Sequence, residues 1–177
     1  MLAIKNTKIL LEEGIIWDGV VLCEGETIVQ VGRAKDVTIP EGAEVIDAGG
    51  KYTAPGFIDV HCHGGNKKWF HHDPEAASAM HFAHGTTTIL PALYQTQTFE
   101  EMVEGAATIR EAKAKNGAAK IIGGLYMEGP FMNPKYGSDI KNCKWAGPID
   151  VDIMKKLVDE VGQDTMVWCV APERAII

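Results

Sequence analysis

Three ligand-type side chains recur at every second position in Asp59-Val60-His61-Cys62-His63. In an extended strand such a spacing sends Asp59, His61 and His63 to one face and Ile58, Val60 and Cys62 to the other. Burying a carboxylate and two imidazoles on the inner face of a helix-coated parallel sheet is costly unless something satisfies them. A divalent metal would do so. The imidazoles suit zinc or iron, and Asp59 is placed to orient a ligand or buttress the backbone from behind. Glu128 is the third candidate ligand: Gly129-Pro130 follows it, and that pair is expected to end a strand and leave Glu128 at a carboxyl-terminal rim.

The elements that must carry these groups fall into two stretches. Residues 2 to 53 read as short strands with Gly-containing turns, roughly Ala3–Leu11, Gly14–Trp17, Val20–Cys23, Thr27–Val31 and Glu44–Asp47. Closely spaced hairpins of this kind predict a small β-sandwich head over residues 1–54. After Pro55-Gly56 strands and helices alternate. Phe57–His61 reads as a strand, Asp73-Pro74 caps a helix that stops at Gly85, and Thr86–Leu90 is a buried strand by type. Thr98-Phe99-Glu100-Glu101 has capping-box spacing, with Phe99, Met102, Val103, Ala106 and Ile109 on one helical face. Ile121–Met127 supplies a third strand. Asp150 precedes a helix bearing Ile153, Met154, Leu157, Val158 and Val161, and Met166–Val170 is a fourth strand. The α/β alternation implies parallel strands with right-handed crossovers, either an open doubly wound sheet or a (β/α)8 barrel. Either architecture puts functional groups at the carboxyl ends of strands. No Gly-x-Gly-x-x-Gly follows any of the four strands, which argues against a dinucleotide.

Composition narrows the classes further. With 17 Lys and Arg against 24 Asp and Glu, the net charge of -7 argues against a nucleic-acid partner, whose phosphates need clustered basic residues. Cys23, Cys62, Cys143 and Cys169 form no Cys-x-x-Cys pair, which points to reduced thiols. The amino terminus is interrupted by charge too early for a signal peptide and no apolar run approaches a membrane span, so no membrane association and a cytoplasmic location are expected. His71-His72 reads as an exposed loop pair, His81 and His84 as cover for the outside of the sheet, and Trp69, Phe70 and Tyr94 as ordinary packing.

Pro55-Gly56-Phe57-Ile58-Asp59-Val60-His61-Cys62-His63-Gly64 resembles the first-strand motif of the amidohydrolase superfamily. Gly85-Thr86-Thr87-Thr88-Ile89-Leu90-Pro91, Met127-Glu128-Gly129-Pro130-Phe131 and Ala171-Pro172-Glu173 are similar to later strands of its N-acetylglucosamine-6-phosphate deacetylase family. The resemblance spans essentially the whole chain. It implies a small β-sandwich followed, over residues 55–177, by the first four β/α units of a metal-dependent hydrolase TIM barrel. It further implies Glu128 as principal metal ligand and His61 and His63 at a second position, with zinc or iron as cofactor. The implied reaction is hydrolysis of the acetamide of an amino sugar phosphate, a small-molecule substrate, in a protein that is often a homodimer.

Two departures accompany the resemblance. The stretch Tyr136-Gly137-Ser138-Asp139 stands where the family has a Gly-x-His that contacts the sugar, so Ser138 and Asp139 become the candidate substrate contacts. Asp139 cannot donate as an imidazole can, and its charge would repel a phosphate unless Lys141 and Lys144 offset it. In addition, the family's two later histidine ligands and its general acid/base aspartate are expected beyond Ile177. The chain is therefore expected to be truncated and inactive alone, with unpaired sheet edges. The alternatives are a non-catalytic fragment or assembly module, or an amidohydrolase acting on a different amide or N-acetyl substrate.

Overall fold

A computed structural model describes residues 1–137 and 139–174, and these divide into two compact units, Met1–Pro55 and Gly56 onward. In the first, strand β1 (Leu2–Leu11) is flanked on one side by antiparallel β2 (Gly14–Glu24), which pairs in turn with β3 (Thr27–Arg33). On its other side β1 pairs in parallel with β4 (Glu44–Asp47) and β5 (Tyr52–Thr53). The segments expected as Gly14–Trp17 and Val20–Cys23 are one strand, β2. Gly19 makes that continuity possible, because a Cβ there would overlap the Ile9 side chain of the neighbouring strand. Ala3, Val20, Leu22 and Val37 form a small core with Ala34, Ile39 and Ala43 packed against it. All five strands belong to a single sheet, so the two-layer sandwich is not formed among the described residues of this unit.

The second unit begins with β6 (Phe57–Cys62), a small hairpin of β7 (Gly64–Gly65) and β8 (Lys68–Trp69), and α1 (Pro74–Ala83). Then follow β9 (Thr86–Tyr94), α2 (Phe99–Ala114), β10 (Leu125–Phe131), α3 (Val151–Val161) and β11 (Thr165–Val170). The four long strands are parallel and lie in the order β11-β10-β9-β6. Strands that neighbour one another in chain order, with no reversal, build a curled half-barrel and not a doubly wound sheet, whose strand order reverses at a switch point.

The helix starts follow the local chemistry. Asp73 accepts from the Ala76 N–H ahead of Pro74, Thr98 and Glu101 form a complete capping box, and Asp150 accepts from the N–H groups of Asp152 and Ile153. Met102, Ala106 and Ile109 of α2 and Leu157 and Val161 of α3 bury against Ile89, Leu93, Leu125 and Met127 of the sheet. Ile153 and Val158, expected on the apolar face of α3, are exposed.

Two strands differ from their sequence-based bounds. β9 continues past Leu90 to Tyr94, and Pro91 stands opposite Cys62 where the β6 ladder slips by one residue. β10 starts later than expected, because Ala118–Ile121 is a 3-10 turn, and it runs through Gly129-Pro130 to Phe131. Its ladder to β9 nevertheless ends at the pair Glu128 and Tyr94. Gly129-Pro130 thus interrupts the pairing without ending the extended backbone.

Candidate metal centre

The slip in β6 decides which side chains meet. Asp59 stands opposite Ile89 and Cys62 opposite Pro91, three residues on β6 against two on β9. The extra residue is a bulge and changes the parity of the strand. The expected common face for Asp59, His61 and His63 is therefore not formed. Asp59 groups with Cys62 and with His81 of α1, ligand atoms within 4.8 Å of one another, while His61 and His63 group with Glu128. Asp59 is still tied to the pair through the backbone, its Oδ1 accepting from the His61 N–H at 3.1 Å.

Glu128 reaches the same place from β10. Leu125 and Met127 are fully buried in the helix-packed core, so by alternation Tyr126 and Glu128 turn to the concave face. His61 Nε2 lies 3.0 Å and His63 Nε2 3.2 Å from the same Glu128 Oε2. The contact with His63 is the larger cause that holds the Glu128 carboxyl below its ordinary range; His61 adds to it, against a partial burial that pushes upward. The triad is open to solvent, with side-chain exposures of 38% for His61, 35% for His63 and 26% for Glu128.

An aromatic shell surrounds it. His61 stacks on Tyr126, ring centroids 4.2 Å apart, and His63 meets Tyr94 edge-on at 4.7 Å; Trp69 stacks on Tyr94 in turn. The Tyr126 hydroxyl lies 2.7 Å from Cys169 Sγ on β11, and that contact first, then burial, pushes its phenol up to about 12. Tyr126 and Cys169 escaped the sequence reasoning. The available signal was the two-residue step from Tyr126 to Glu128, which puts both on one face.

The donor set fits a metal ion. Ligand atoms bound to one tetrahedral zinc stand roughly 3.3 Å apart, close to the 3.0 and 3.2 Å that the two imidazole nitrogens keep from the carboxylate oxygen. His63 Nδ1 is buried and without a hydrogen-bond partner, so the usual outer partner of a ligand imidazole is missing among the described residues.

Other candidates are placed elsewhere. Both carboxylate oxygens of Asp139 accept from Asn142 Nδ2, and Asp139 is not part of the triad; Ser138 lies outside the described residues. His81, expected to cover the outside, is half-buried, with Nε2 3.1 Å from the Gly64 carbonyl and 3.3 Å from Cys62 Sγ. Phe70 is fully buried, as packing predicts. His71 is half-buried, and that burial, more than its neighbour His72, lowers its pKa; it borders a cleft of about 360 Å³ with Tyr94, Gln97 and Glu101. A cleft of about 430 Å³ near Phe99, Trp145 and Arg174 contains no triad residue. Arg174 also went unnoticed in the sequence: its guanidinium donates to the carbonyls of Pro130, Met132, Trp145 and Gly147.

No family model matches the chain. Over 187 aligned residues it is 30% identical to the N-acetylglucosamine-6-phosphate deacetylase of Bacillus subtilis, covering 97% of this chain and 44% of that protein. A crystal structure of the N-acetyl-D-glucosamine-6-phosphate deacetylase of Mycobacterium smegmatis superposes with a TM-score of 0.75 at 19% identity, over 98% of this chain and 48% of that one. The first comparison points to the N-acetylglucosamine-6-phosphate deacetylases of the amidohydrolase superfamily, and the second shows a shared fold. The deacetylase of Pasteurella multocida shares the fold as well, with a TM-score of 0.71 and 24% identity over 93% of this chain and 43% of that one. A dihydroorotase of Staphylococcus epidermidis is 32% identical over 127 residues, 69% of this chain and 28% of that protein. The chain thus spans less than half the length of its deacetylase relatives. Among the described residues no helix is long and apolar enough to cross a membrane.

Proposed function

We propose that this chain carries the metal-binding front part of a deacetylase that hydrolyses the acetamide of N-acetylglucosamine-6-phosphate. The observation that carries the reading is the convergence of His61, His63 and Glu128 on one point, at the carboxyl end of β6 and where the ladder of β10 to β9 ends. It is supported by similarity to a deacetylase over 97% of the chain. His61, His63 and Glu128 would hold zinc or iron. When bound, such an ion polarises an amide carbonyl and lowers the pKa of a water molecule, so that a nucleophile exists at neutral pH.

The protein's own groups do the rest. Glu128 would supply the negative charge in the ligand set, and Asp59 fixes the His61 backbone. Tyr94 and Trp69 wall the His63 side. No further Asp or Glu groups with the triad among the described residues, and the general acid and base is expected from elsewhere in the protein. On this reading the chain alone turns over little or no substrate.

A second reading, a different N-acetyl substrate, is favoured by Asp139, whose negative charge stands where the family has an imidazole. Both are tested by acetate release from N-acetylglucosamine and its 6-phosphate. The zinc-loaded chain is assayed alone and together with the carboxyl-terminal half of the Bacillus subtilis deacetylase. Release from the 6-phosphate only in the mixture, abolished by Glu128→Ala, supports the proposal. A preference for the sugar without phosphate favours the second reading, and release that persists in Glu128→Ala counts against both.

A further inference from the structure

We infer that Tyr126 is a positioning residue for the His61 imidazole, an inference that rests on the triad reading above. His61 comes from β6 and Tyr126 from β10, two strands away across β9. Their rings lie 4.2 Å apart at an interplanar angle of 26°, a stack and not an edge contact. The tyrosine ring is held at both ends, by the β10 backbone and by its hydroxyl, 2.7 Å from Cys169 Sγ on β11.

His61 needs such a support. Its side chain is more than a third exposed, and its Nε2 contact with Glu128 fixes where one ring atom points but leaves the ring plane free to swing about that direction. Stacking against an anchored aromatic face fixes the plane. His63 receives its own restraint from Tyr94, edge-on at 4.7 Å, so each imidazole has one tyrosine from a different strand. A ligand already held in its bound orientation loses less freedom when a metal arrives, and outer partners that orient ligand imidazoles typically change metal affinity by about 10- to 100-fold.

The test is zinc affinity, measured by competition with a chromophoric chelator, together with the proton resonances of the His61 ring in the metal-free protein. Tyr126→Phe keeps the stack and should bind zinc within about threefold of wild type. Tyr126→Leu removes the stack and should weaken zinc binding by about tenfold or more. It should also abolish the upfield ring-current shift of the His61 protons, which the phenylalanine variant retains. Tyr126→Met, of similar reach, takes its place should the leucine variant not fold. Leu157→Ala, buried in the helix-packed core away from the triad, controls for general destabilisation and should lower the urea midpoint without moving the zinc affinity of folded protein. A folded Tyr126→Leu or Tyr126→Met variant with wild-type zinc affinity, or with His61 resonances that keep the wild-type upfield shift, overturns the inference. Wild-type affinity in Glu128→Ala overturns the triad itself instead, and the metal-free resonances still decide whether Tyr126 orients His61.

Discussion

Replacing Glu128 probes the centre most directly. Its Oε2 lies 3.0 and 3.2 Å from the two imidazole nitrogens, so Glu128→Ala leaves the pair of imidazoles with no anion between them. Changes in partners one step removed from a metal cost about 10- to 100-fold in affinity, and loss of the charged ligand itself should reach at least the upper end, about 100-fold or about 2.7 kcal/mol. Glu128→Gln keeps the shape and an oxygen but not the charge. If charge dominates, it should fall nearly as far as alanine. The same numbers predict stability. At a free zinc concentration about 100 times the wild-type Kd, binding stabilises the folded chain by about 2.7 kcal/mol, whereas a variant with Kd raised about 100-fold gains only about 0.4 kcal/mol. Urea unfolding with zinc and with a chelator measures both gains. An equal zinc-dependent gain in wild type and Glu128→Ala would refute the assignment of Glu128 as a ligand.

Two further outcomes follow from the structure. Because the imidazole contacts hold the Glu128 carboxyl below its ordinary value of 4.5, its stabilising contribution is complete above that pH and is lost as pH falls through the lowered folded value. In the presence of chelator, the stability advantage of wild type over Glu128→Gln should therefore shrink on acidification below 4.5, as read from urea midpoints; a constant gap down to about pH 3 would contradict it. Arg174→Ala removes donors from the carbonyls of Pro130, Met132, Trp145 and Gly147. It should cost about 2–4 kcal/mol and open the segment between Met132 and Gly147 to limited proteolysis, and an unchanged cleavage pattern would show that this clamp is dispensable.

Much of the architecture was legible because its causes are local. The caps at Asp73, Thr98 and Asp150 act on N–H groups two or three residues away, so the sequence alone placed all three helix starts. The β/α alternation after Pro55 was readable for the same reason, and His61, His63 and Glu128 could be named as candidates from their places at strand ends; that they meet was not readable, since Glu128 lies 67 positions from His61. The choice between a barrel and an open sheet was not readable, because strand order is a matter of which edges meet in space. Nor was the fate of Asp59. Alternation predicted a shared face with the histidines, but one extra residue on β6 between Asp59 and Cys62 reversed the parity, and a bulge depends on the neighbouring strand. Tyr126, Cys169 and Arg174 gained their roles only when β10 and β11 were brought together. The sequence by itself determined which residues are candidate metal ligands and which elements carry them. The tertiary structure decided which of those residues face one another and which aromatic ring holds each imidazole, because register and bulges are set by contacts between segments far apart in the chain.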